Sequence, residues 1–167
     1  MGAGGLTAVA DTGPLIHLAE IDHLPLLSTF DPLHIPNAVW REAERPATIR
    51  SQLALAERHE VVSGEVSQFA AARKLERLQA GELESLYLCS QLRVPIILTD
   101  DLGVRDAARG LALQPIGSLG IVARAFRAGR IARQVAEQAL VDLYDVSSLF
   151  VTRTIVDLAI ERLRGAG

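Results

Sequence analysis

The sequence predicts an α/β domain in three layers, with helices on both faces of a central parallel sheet. Two observations carry this expectation. Apolar runs without polar alternation occur at 6–10, 95–99 and 113–116, as in strands buried on both faces. The stretches between them place apolar residues at helical spacing, and strand–helix alternation is the pattern of a parallel sheet with crossover helices. At 167 residues the chain fits one domain that buries a full core without a disulfide or metal staple.

In chain order, the first strand runs into a turn at Asp11-Thr12-Gly13, and a helix follows from Pro14 to Ala19. A second helix is expected over 24–30, with Asp22 as its candidate cap. A further strand is expected over 33–35. The next helix, 37–44, opens at Pro36-Asn37 and closes before Pro46. Helical spacing continues through 47–59 and 67–78. Over 82–92, Leu83, Leu86, Tyr87 and Ser90 share a face, and Gly81 lies just outside. Helices 104–111 and 118–128 follow the second and third apolar runs. Gly129-Arg130 breaks the chain between helices, and the last two, 132–143 and 148–163, have no strand between them. They are expected to pack as a hairpin on the same domain.

The formal net charge of −3 argues against a protein that coats nucleic acid by bulk charge. The charge is uneven, however. Residues 1–104 carry net −6 and residues 134–167 net −2, whereas 105–133 hold six arginines against Asp106, net +5. The lone Cys89 forms no internal disulfide, which fits a reducing cytoplasm. It lies among Leu86, Leu88 and Leu92 and is expected to be buried and inert. No apolar run approaches the roughly 18 residues of a membrane span. The start, Met1 to Gly5, lacks the basic and apolar parts of a signal peptide.

In an open α/β sheet, ligands sit beyond the carboxyl ends of the strands. Asp11 ends the first strand, and Asp100 and Asp101 end the second. Glu82 and Glu84 open the helix before that second strand, and Glu42 lies on the helix after the 33–35 strand. Convergent carboxylates cannot all stay ionised without a cation or raised pKa values. A hard ion, Mg²⁺ or Mn²⁺, resolves the conflict, activates water and stabilises charge on a phosphate under attack. Each acid also has a plainer use. Asp11, Asp100 and Asp101 fit as helix caps, Glu82 and Glu84 as complements to a helix dipole, and Glu42 as a solvated surface residue.

In the basic segment, Arg124 and Arg127 share a helix face that Arg130 and Arg133 continue past the break. They suit phosphate contacts, or arginine stems lying over apolar surface. Gly117-Ser118-Leu119-Gly120 fits either a phosphate nest or a plain cap by Ser118. Trp40, Tyr87 and Tyr144 are scattered, so no aromatic stacking platform is visible. His17 and His34 fall among apolar residues as core or edge residues, and the histidines lack zinc spacing. Phosphate-loop and nucleophile-elbow motifs are absent. A phosphoacceptor receiver domain needs a lysine after a later strand, and Lys74, the chain's lysine, precedes the Asp100-Asp101 strand.

Five segments, in order, resemble the PIN-domain ribonuclease family. They are Val9-Ala10-Asp11-Thr12-Gly13-Pro14-Leu15-Ile16, Ile35-Pro36-Asn37-Ala38-Val39-Trp40-Arg41-Glu42, Gly81-Glu82-Leu83-Glu84-Ser85-Leu86-Tyr87-Leu88, Ile97-Leu98-Thr99-Asp100-Asp101 and Pro115-Ile116-Gly117-Ser118-Leu119-Gly120. The third is similar to the Gly-Glu-x-Glu signature of a prokaryotic, toxin-like subgroup. The resemblance implies a parallel sheet of about five strands in a nuclease domain over 1–130. A helical extension, 131–167, packs on the same domain. It implies a metal-dependent endoribonuclease using Mg²⁺ or Mn²⁺, the toxin of a toxin–antitoxin pair, with an antitoxin partner, a homodimeric state and a cytoplasmic place.

Mapped onto this chain, the acidic positions are Asp11, Glu42, Glu82 or Glu84, and Asp101, with Asp100 beside it. Asp11, Asp101 and one of Glu82 and Glu84 are the expected metal ligands, and Glu42 the expected water-positioning acid. Thr12 and Thr99 are expected to orient acids or waters at the substrate, and Arg124 and Arg127 to bind it. The alternative is a PIN-like module that has lost catalysis and acts by binding RNA or protein.

Overall fold

A computed structural model describes residues 5–43, 47–54 and 56–166. Five parallel strands form one sheet: β1 (Ala8–Ala10), β2 (Leu33–Pro36), β3 (Glu57–His59), β4 (Ile96–Leu98) and β5 (Gln114–Ile116). Their spatial order is β3-β2-β1-β4-β5. Nine described helices surround them: α1 (Thr12–Glu20), α2 (Asn37–Ala43), α3 (Ala47–Gln52), α4 (Ser63–Arg73), α5 (Ala80–Leu92), α6 (Leu102–Gly110), α7 (Ser118–Arg127), α8 (Arg133–Asp145) and α9 (Arg153–Gly165). None of the described helices is long and apolar enough to cross a membrane.

Period-2 alternation sorts each strand's side chains to two cores. Ala8, Ala10, Ile96 and Leu98 join the larger core, with Leu15 and Leu18 of α1 and Ile121, Val122 and Ala125 of α7. Val9 and Ile97 join the smaller one, with Leu86, Leu88 and Cys89 of α5 and Val104 and Ala108 of α6. Helices α8 and α9 contribute Ala139, Leu140, Leu143, Val156 and Leu163 to the larger core, so the last two helices share the interior of the rest. Burial pushes the Cys89 thiol up to about 12, which leaves it protonated and unreactive.

Several elements differ from the sequence expectation. The 24–30 segment is a 3-10 helix, Leu24–Thr29, entered from His23. Asp22 does not cap it but takes a left-handed backbone, φ 57°. The expected helix over 47–59 ends at Gln52, and the edge strand β3 follows. Glu57 and Arg58 of β3 are exposed, so no apolar pattern marks it. The expected 67–78 helix starts earlier, at Ser63, and stops at Arg73, because Lys74 is left-handed and its N–H reaches back to Ala71. On α5 the buried set is Gly81, Ser85, Leu86, Leu88 and Cys89, whereas Ser90 is exposed: this helix packs on the sheet and on α2 and α4 at once. The expected close of α2 before Pro46 lies outside the described residues.

Strand order places the reversal of winding between β1 and β4. β1 is followed outward by β2 and β3, then the chain crosses back to β4. An open α/β sheet forms its ligand crevice at such a switch point, beyond the carboxyl ends. Ala10 pairs with Leu98, so the residues following β1 and β4, Asp11 and Thr99-Asp100-Asp101, emerge side by side.

Candidate functional site

Asp11 is the best-buried acid at this crevice, 5% exposed. It begins α1, and its Oδ1 accepts from the Thr12 N–H at 2.8 Å. Its Oδ2 accepts from the Thr99 hydroxyl at 2.9 Å. Burial pushes its carboxyl up to about 6, and the neighbouring charges of Glu82 and Glu42 push the same way against the two hydrogen bonds. Among the described residues, only the two hydrogen bonds from Thr12 and Thr99 favour the ionised form of Asp11.

The cleft above it has a volume of about 300 Å³ and is lined by Asp11, Thr12, Glu42, Gln79, Glu82, Asp100 and Asp101, with Gly13, His17, Leu149 and Phe150. Five carboxylates line it, with no lysine or arginine among the described lining residues. Glu42 comes from α2, where its Oε2 accepts from the Thr12 hydroxyl at 2.6 Å. Its other oxygen lies against Gly81; a Cβ there would come within 3.0 Å of it, so glycine lets α5 approach the acid. Glu82 closes a capping box on α5, accepting from the Gln79 N–H at 2.8 Å through one oxygen. Asp101 caps α6 by accepting from the Val104 N–H at 2.9 Å, also through one oxygen.

Glu84 does not line the cleft. It accepts from the Ala38 N–H at 3.0 Å and caps the start of α2. Two residues apart on one helix, Glu82 and Glu84 face nearly opposite ways, so one acid serves the cleft and the other ties α5 to α2. Thr99 is fully buried; it holds Asp11 and accepts from the Asp101 N–H at 3.3 Å, which removes it from direct contact with a substrate.

Asp100 is satisfied by the fold. It accepts from the Ser118 N–H at 2.7 Å and the Ser118 hydroxyl at 2.6 Å, and its Oδ2 pairs with His17 Nδ1 at 2.7 Å. The start of α7 thus receives a carboxylate from its own chain in the place of a phosphate, and Gly117, not Ser118, is the cap residue. His17 is a cleft residue oriented by Asp100, which its apolar sequence surroundings concealed.

Beside the cleft lies a groove of about 450 Å³ lined by Arg105, Arg124 and Arg127, and by Leu102, Leu149 and Phe150 among others. Arg130 and Arg133 leave this strip: Arg130 donates to the Ser28 hydroxyl at 3.1 Å, and Arg133 lies over the Phe126 ring. Phe150 is 99% exposed and lines cleft and groove alike. Its loop is fixed to the end of α1, where the Ser148 hydroxyl donates to Glu20 at 2.6 Å. The sequence reading missed this aromatic, because only the tertiary position of the α8–α9 loop brings it to the acids.

A parallel α/β sheet with oxygen donors gathered at its switch point defines a class of domain that concentrates hard cations at one edge. A family model described as a PIN domain matches residues 7–164, and the chain belongs to that family. No curated protein and no solved structure matches it. PIN domains are generally nucleases and usually use divalent metals, and the family points to RNA as substrate. The donor set suits such an ion in its chemistry: the carboxylates of Asp11, Glu82 and Asp101 line one cleft and burial already strains the charge of the first, while their donor oxygens do not all lie within 4.8 Å of one another.

Proposed function

We propose that the chain is a Mg²⁺- or Mn²⁺-dependent endoribonuclease that cuts single-stranded RNA at the Asp11 cleft. The observation that carries this reading is the meeting of Asp11, Glu42, Glu82 and Asp101 around one cleft with no lysine or arginine in its lining among the described residues. Asp11, Glu82 and Asp101, which line the cleft, would hold the ion in this reading, with Glu82 preferred to Glu84, which lies outside the lining and accepts from Ala38. When bound, the ion supplies the charge that activates water and stabilises the phosphate under attack.

The chain's own residues do the rest. Thr12 and Thr99 fix the rotamer of Asp11 before any ligand arrives. Glu42 lines the cleft and is held by the Thr12 hydroxyl, a place from which its carboxylate would orient the attacking water and accept its proton. Arg105, Arg124 and Arg127 bind phosphates along the adjacent groove, and Phe150 stacks an unpaired base at the junction. A duplex hides its base faces, so this junction favours single strands.

The similarity of Gly81–Leu88 to the toxin-like signature supports a cellular role as a toxin with an antitoxin partner, a homodimeric state and a cytoplasmic place. The test is cleavage of a labelled single-stranded RNA by the full chain with Mn²⁺, with Mg²⁺ and with chelator. Metal-dependent cleavage that Asp11→Asn lowers by about 10²–10³-fold is expected. A wild-type chain that binds the RNA and leaves it intact with either ion supports the binding-module reading instead.

A further inference from the structure

The edge of the sheet farthest from β5 carries a second set of donors, separate from the acidic cleft. Register pairs His34 of β2 with Glu57 of β3, and Pro36 with His59. Side chains two apart on a strand share a face, so Glu57 and His59 stand on one face with His34 beside them. The three donor atoms lie within 4.8 Å of one another. His34 Nδ1 is 2.8 Å from His59 Nε2, and Glu57 Oε2 is 3.4 Å from the first and 3.7 Å from the second. None of the three lines the cleft.

We propose that His34, Glu57 and His59 form a zinc site that ties the edge strand β3 to β2. In tetrahedral zinc sites, bonds of about 2.0–2.2 Å put neighbouring ligand atoms roughly 3.3–3.5 Å apart. The three observed separations straddle that value, and opening the imidazole pair by about half an ångström completes the triangle. Each imidazole then keeps its proton on the nitrogen turned away, His34 on Nε2 and His59 on Nδ1. Two nitrogens and one carboxylate are a borderline donor set that favours Zn²⁺ over Mg²⁺, unlike the carboxylates proposed as ligands in the cleft. The Glu57 side chain is 58% exposed, which leaves a solvent-facing side for water as fourth ligand.

The device has a structural use. β3 is a three-residue edge strand paired to β2 alone, with two of its three residues exposed. An ion bridging β2 and β3 fixes their register and protects an edge that offers unpaired backbone to other chains.

The test uses the full chain, stripped with chelator and titrated with Co²⁺ as a spectroscopic probe. One equivalent should give the intense visible absorption of four-coordinate Co²⁺, which Zn²⁺ then displaces. Asp11→Asn should retain the signal; His59→Gln and Glu57→Ala should each lose it. Zn²⁺ at about 100 times its Kd should raise the wild-type melting temperature by about 5–10 °C and leave the Glu57→Ala chain unchanged. Glu57 is exposed, so this variant keeps the test valid if His59→Gln fails to fold. Absence of the band in the wild type overturns the site. So does its retention in Glu57→Ala, or its loss in Asp11→Asn.

Discussion

The carboxyl ends of β1 and β4 lie side by side and treat their acids in opposite ways. At β4, Asp100 receives a backbone N–H, a hydroxyl and the His17 ring, so its charge is matched by donors and joins α1 to α7. At β1, Asp11 receives two hydrogen bonds, yet burial and two neighbouring glutamates push its carboxyl up to about 6. One strand end is satisfied by the fold; the other keeps a buried charge under strain. On the proposed reading, that difference separates an acid used to build the domain from one that would take a cation, although both sit in the same sequence context.

The comparison yields tests of decreasing size. Asp11→Asn should cost RNA cleavage about 10²–10³-fold, the size expected when charge stabilisation at the phosphate is lost; steady-state rates with Mn²⁺ measure it. Asp100→Ala should instead act on folding, leaving Ser118 and His17 without their acceptor at a cost of about 2–4 kcal/mol by denaturant titration.

In the metal-free chain at pH 8, Asp11→Asn should be the more stable protein. A shift from 3.8 to about 6 corresponds to about 2–3 kcal/mol against the charged form. The sign follows from proton binding. Between those two values the folded chain holds a proton that the unfolded chain has lost, so the Asp11 contribution falls as pH rises. The gap between variant and wild type should therefore close as pH drops from 7 to 4, as melting curves at a series of pH values will show.

Glu82→Gln should weaken Mn²⁺ binding by about 10-fold or more, while Glu84→Gln should leave affinity alone and cost about 1 kcal/mol of stability as a weakened cap. Of similar size, Phe150→Ala should raise KM by the equivalent of about 1–3 kcal/mol for single-stranded RNA. Arg124→Ala should lower the salt slope of binding by about 0.7.

Much of the fold could be read because buried strands and apolar helix stripes leave a mark in the chain. Ala8–Ala10 and Ile96–Leu98 are apolar throughout, and their ends deliver Asp11 and Asp101 to one crevice. β3 left no such mark, since Glu57-Arg58-His59 pairs on one side only and faces water. The choice between Glu82 and Glu84 was equally hidden. It depends on how α5 docks against α2, where Gly81 meets Glu42 and Ala38 meets Glu84. Asp100 and Asp101 read as one acidic pair, but Ser118, eighteen residues on, claims the first and leaves the second with an oxygen for the cleft. Phe150 and the His34–Glu57–His59 group arise from contacts between distant segments, which local spacing does not encode.

The central claim is that the strained carboxylate at the end of β1 is a cation ligand. Crystals of the chain soaked in Mn²⁺, measured at a wavelength where manganese scatters anomalously, test it most directly. The account predicts an anomalous peak in contact with Asp11 and shared with Asp101 or Glu82. A cleft without a peak at saturating Mn²⁺, or a peak confined to Asp100 and His17, would contradict it.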